Sequence, residues 1–150
     1  MLRYNINGET NISLTAATAK TLAAVSTPST RKARLLGFTV SFDSVTSTDQ
    51  SVLVEVVRWS GTAGTATSRT PVAIDPDQPA ALSSGFVNYT VEPGTPTVLY
   101  EMRGTPVGGT LVIPFVPDEA PMADPSQILG VRCTSPQAQS NVRVSLTFEE

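Results

Sequence analysis

Residues 142–148 read Val142-Arg143-Val144-Ser145-Leu146-Thr147-Phe148, and residues 36–42 read Leu36-Gly37-Phe38-Thr39-Val40-Ser41-Phe42. In both stretches an apolar side chain stands at every second position. Period two puts one set on one face of a pleated strand and the other set toward water. Residues 51–59 follow a different rule. Val52, Val54 and Val56 would line one face, and Leu53, Val57 and Trp59 the other. Such a strand is expected to be covered on both sides, by the core and by a neighbouring subunit or segment. Residues 96–103, 110–116 and 127–134 also read as strands, and 86–91 as a weaker one.

Turn residues separate these runs. Ser60-Gly61-Thr62-Ala63-Gly64 is expected to break a hairpin, and 75–84 and 117–126 are the long loops. The chain has 12 prolines. Each removes a ladder donor, so they mark loops and sheet edges. The one helix candidate is Ala16–Val25, which is alanine-rich but poorly spaced for an apolar face. The preferred reading there is an extended hairpin of 10–15 with 18–26. Many short strands punctuated by Gly and Pro predict a single all-β domain over 1–150, with little or no helix. Its architecture would be a jelly-roll-like or Greek-key sandwich or barrel. Residues 1–11 alternate weakly. They read either as an N-terminal arm that adds a strand to a neighbour's sheet or as an edge strand of their own domain.

Composition narrows the chemistry. The chain carries 10 basic and 13 acidic side chains, no histidine and one cysteine. A net charge of -3 argues against a general nucleic-acid or anionic-membrane binder. Without histidine there is no Ser-His or Cys-His dyad and no HExxH zinc site. A single cysteine excludes an intrachain disulfide and any multi-cysteine metal site. No signal peptide or membrane-spanning run is legible, so the expected place of synthesis is a cytoplasm.

Several residue groups are candidate sites. Asp75, Asp77, Asp118, Glu119 and Asp124 lie in proline-rich loops that could hold calcium, but the spacing lacks the EF-hand ligand pattern. Asp43 with Glu55, or Glu92 with Glu101, could form a glycosidase pair. Strand-face ion pairs with Arg58, Arg103 or Arg132 fit Glu55 and Glu101 better. The basic cluster Arg31-Lys32-Ala33-Arg34 reads as a solvated strand start or a salt-bridge rim. Cys133 reads as a buried, inert thiol. Trp59 with Tyr89 or Tyr100 could make a sugar platform, although packing suits Trp59 better. No enzyme activity, cofactor or metal is expected from this set.

One resemblance goes further. Thr15-Ala16-Ala17-Thr18-Ala19-Lys20-Thr21 is followed by Arg34-Leu35-Leu36-Gly37-Phe38-Thr39-Val40-Ser41-Phe42-Asp43. Then come Val52-Leu53-Val54-Glu55-Val56-Val57-Arg58, Leu129-Gly130-Val131-Arg132-Cys133-Thr134 and a terminal Phe148-Glu149-Glu150. Together these resemble a group of small tailed-bacteriophage head decoration proteins, also called capsid cement or auxiliary proteins. The similarity covers nearly the whole chain and is a pattern of strand sequences, not a catalytic signature. It implies a structural virion protein on the capsid exterior, made in the host bacterial cytoplasm. It also implies the major capsid protein as partner and a homotrimer as the self-assembly. The expected interface residues are Leu2, Tyr4 and Ile6 from the possible arm, and Leu53, Val57 and Trp59 from the two-sided strand. Two alternatives stand beside it. One is a carbohydrate- or receptor-binding module. The other is a different virion part, such as a minor capsid subunit, head fibre base or tail protein.

Overall fold

The computed structural model describes residues 1–8, 11–46 and 48–150. Among these residues there are strands and no helix. In chain order the strands are β1 (Arg3–Asn7), β2 (Ile12–Leu14), β3 (Ala19–Ser26), β4 (Ala33–Ser41), β5 (Val52–Trp59), β6 (Thr65–Arg69) and β7 (Val72–Ala73). They continue as β8 (Ser84–Val91), β9 (Pro96–Gly104), β10 (Thr110–Pro114), β11 (Met122–Ala123), β12 (Ile128–Thr134) and β13 (Gln139–Glu149). Two antiparallel sheets pack face to face as a β-sandwich that does not close into a barrel. One runs β10-β4-β13-β1-β7, with β11 on β4 and β2 on β13. The other runs β6-β8-β3-β12-β5-β9.

The alternating stretches supply the core. From β13 come Val142, Val144, Leu146 and Phe148, and from β4 come Leu35, Phe38 and Val40. Facing them are Leu22 and Val25 of β3, Val52, Val54 and Val56 of β5, and Leu129 and Val131 of β12. Each such side chain, fully removed from water, contributes about 1.5–3 kcal/mol. The alternation in 36–42 fails at its first member. Phe148 pairs with Leu35 and Thr147 with Gly37, so Leu36 is the extra residue of a β-bulge. Leu35 is therefore the core residue and Leu36 is only half-buried.

Residues 16–25 are extended, not helical. Ala17 turns the chain at φ 57°, and β3 runs through the middle of the second sheet. Alanine's helix preference is worth at most about 0.7 kcal/mol per residue, which tertiary packing overrides. Here the small side chains are needed. A Cβ added at Gly130 of β12 would lie 2.3 Å from the Ala23 carbonyl oxygen and 2.6 Å from the Ala24 Cβ.

Neither expected hairpin forms. β2 pairs with β13 while β3 pairs with β12 and β8, so the two segments lie in different sheets. Ser60–Gly64 leaves β5 and reaches β6, on the far side of β12, β3 and β8. No two strands consecutive in the chain pair with each other among the described residues. Two prolines do occur in strands, Pro96 at the start of β9 and Pro114 at the end of β10. Both strands are sheet edges.

Candidate interaction surfaces

β5 is buried on both faces, and the chain itself supplies both covers. Val57 and Trp59 join Ala24, Tyr89 and Ile128 in a second cluster on the outer face of the six-stranded sheet. Ala63 and Gly64 of the crossing connection, with Thr65 and Ala66 at the start of β6, lie beside Phe86, Tyr89 and Ile128. A second crossing, from β8 to β9, runs alongside the first. Ser60 N–H donates to the Thr95 carbonyl at 3.4 Å, Gly61 N–H to Gly94 at 3.1 Å and Gly94 N–H to Thr62 at 2.9 Å. Gly64 must be glycine, because its φ is +74° and a Cβ would meet the Val91 carbonyl at 2.4 Å. Trp59 and Tyr89 are thus closed off from solvent and present no sugar platform, and Tyr100 stays partly exposed. Burial, with the Glu92 charge adding, pushes the Tyr89 phenol up.

β1 is likewise held within the sandwich. It lies between β13 and β7, and both flanks are paired. Tyr4 and Ile6 are core residues, and the Tyr4 hydroxyl donates to the Pro79 carbonyl at 3.0 Å. Leu2 and Glu150 exchange backbone hydrogen bonds, at 3.2 and 3.0 Å. Glu150's carboxylate then accepts the N–H groups of Leu82, at 2.7 Å, and Ser83, at 3.0 Å. Of the six expected interface residues, Tyr4, Ile6, Val57 and Trp59 are therefore buried inside the chain. Leu2 and Leu53 keep part of their surface. Of the expected arm, Glu9 and Thr10 lie outside the described residues.

The carboxylates do not converge on a cleft. Asp43 accepts from Asn141 Nδ2 at 3.1 Å. Glu92 accepts the Thr21 N–H at 2.6 Å and the Thr21 hydroxyl. Arg132 Nε donates to Glu55 Oε2 at 2.9 Å, a largely buried pair. Glu101 stands directly opposite Glu55 in the β5–β9 register. The proline-rich loops use their acids locally. Asp75 accepts the Asp77 N–H at 3.1 Å, and Asp124 pairs with Lys32 at 2.9 Å, which holds the Asp124 carboxyl below its usual range. Among the described residues no three acidic or cysteine side chains gather as metal ligands. Lys32 and Arg34 of the basic cluster are spent on such pairs. Arg34 Nη1 lies 3.3 Å from Glu149 Oε1, and Ala33 is core. Cys133 is buried between the sheets, and burial, with the Glu55 charge adding, pushes its thiol up.

What remains open is the outer face of the seven-stranded sheet. Here a groove of about 380 Å³ has a floor of Thr39, Ser145 and Thr147 and walls of Ile74 and Val112. Asn5 Nδ2 donates to the Ser145 hydroxyl at 3.0 Å and the Thr147 hydroxyl at 3.1 Å, fixing the floor. Ile74 is 55% and Val112 64% exposed. The polar set Arg143, Ser145 and Thr147 is visible in the alternation of 142–148. The walls are not, because they come from β10 and from the residue after β7, which the topology alone brings to this face. No family model, curated protein or solved structure matches the chain.

Proposed function

We propose that the chain is a structural virion protein that decorates a tailed-phage head, binding the outside of the major capsid protein lattice. The strand sequences that resemble head decoration proteins suggest this reading. The observation that carries it to a surface is the outer face of the seven-stranded sheet. That face is broad and shallow, its floor is short hydroxyl and amide side chains, and aliphatic side chains rim it. A flat partner surface can lie on such a face, with the rim aliphatics as anchors and the hydroxyls as hydrogen-bond partners. A small-molecule site would instead be deep and enclosed. Copies linked in one oligomer would gain from avidity on a repeating lattice, so modest contacts per copy suffice for retention.

Val112→Arg tests the surface. The side chain is exposed, so the fold should keep its thermal midpoint. A guanidinium there would be desolvated without a partner on docking. Binding to heads assembled without this protein is expected to weaken by about tenfold or more. Undiminished binding of a folded Val112→Arg variant would remove this face from the account.

A further inference from the structure

β9 ends the six-stranded sheet, pairing with β5 on one side and with nothing among the described residues on the other. It spans nine residues, against five each for the edges β6 and β10 and two for β7. Val98 and Tyr100 on it are 40% and 39% exposed. A long edge with free N–H and C=O groups is a template for another strand, and charges usually guard it. The charges here are Glu101 and Arg103. They are two residues apart, so both project from the outer face, and they are of opposite sign.

The register shows what the edge lacks. Arg132 of β12, Glu55 of β5 and Glu101 of β9 stand opposite one another in a single cross-strand row. Arg132 is committed to Glu55. Two carboxylates therefore face each other across β5 and β9, an unfavourable arrangement for like charges. Among the described residues neither Glu101 nor Arg103 enters an ion pair. The row is one cation short at the position where a further strand would lie.

We infer that β9 pairs antiparallel with β9 of a second copy, joining two six-stranded sheets edge to edge, with Arg103 of each copy opposite Glu101 of the other. Opposed residues in an antiparallel pair share a face, so the twofold axis must pass through a residue of β9. An axis at Glu101 sets that carboxylate against its own copy, and an axis at Arg103 does the same with guanidiniums. An axis at Tyr100 sets Glu101 against Leu99, which sits at the β-bulge. Only the axis at Met102 gives two opposite-charge pairs; it sets Tyr100–Gly104 of the two copies against each other, the part of β9 beyond its bulge, and completes the row as Arg132, Glu55, Glu101 and the second copy's Arg103. Such an interface is isologous and closes at two copies, unlike the trimer the resemblance implies. It leaves the outer face of the seven-stranded sheet free and holds whether or not that face meets a capsid.

Light scattering after size-exclusion chromatography of the full chain, over a range of concentrations, tests it. The expected species has twice the 15.8 kDa chain mass. Glu101→Arg and Arg103→Glu, each shown to be folded by far-UV circular dichroism, should raise the dimer Kd by about tenfold or more. The double variant E101R/R103E restores both pairs with the signs exchanged and should return the Kd toward that of the unchanged chain. A monomer at every concentration would overturn the inference. So would an oligomer whose mass and Kd ignore the single charge reversals.

Discussion

Cys133 and Tyr89 are the groups whose ionisation burial most opposes, one between the sheets and one under the crossing connections. Both pKa values are raised in the folded chain, so both favour folding fully below their unfolded values, 9.0 and 10.0. As pH rises past those values the unfolded chain ionises first and the stability is lost. Each group steepens the fall by up to about 1.4 kcal/mol per pH unit. Thermal midpoints measured from pH 7 to 11 should hold steady and then drop from about pH 9. Cys133→Ala should move the onset upward by roughly one unit. The inert-thiol reading of Cys133 needed only its residue type, its place on a strand and the missing histidine. The Glu55 charge beside it needed the β12–β5 register, which one sequence does not contain.

At the level of single elements, the choice between arm and edge strand at the N-terminus turns on β1. With β13 on one side and β7 on the other, Tyr4 and Ile6 carry core packing that an arm would not. Tyr4→Ala and Ile6→Ala should each destabilise the isolated chain by about 2–5 kcal/mol in denaturant titrations. An arm that orders only on a partner would show less than 0.5 kcal/mol, the scale of ordinary surface changes. The Arg132–Glu55 pair makes a second element-scale case. Arg132→Met strands a largely buried carboxylate and should cost about 3–5 kcal/mol. The double change with Glu55→Leu should recover most of that loss. Strand identity was legible in residues 142–148 because burial repeats every second residue, and in 52–59 because apolar side chains line both faces. Pairing was not, since a turn signal such as Ser60–Gly64 looks the same whether it closes a hairpin or crosses three strands.

Across the whole molecule the sandwich is a product of long-range pairing. With no strands neighbouring in sequence paired among the described residues, loop-closure entropy precedes nearly every stabilising contact. Short alternating strands punctuated by turn residues indicated an all-β domain with one buried face. The assignment of strands to two sheets, and with it the groove between Ile74 and Val112, depends on contacts between residues far apart in the chain. The decoration reading joins that groove to the resemblance of the strand sequences. Its most direct test is a titration of purified protein onto expanded tailed-phage heads assembled without it, with bound protein measured after sedimentation. The account predicts saturation at a fixed number of copies per capsid subunit and greater resistance of the filled heads to heat. Protein that stays in the supernatant at every ratio, with head stability unchanged, would contradict it.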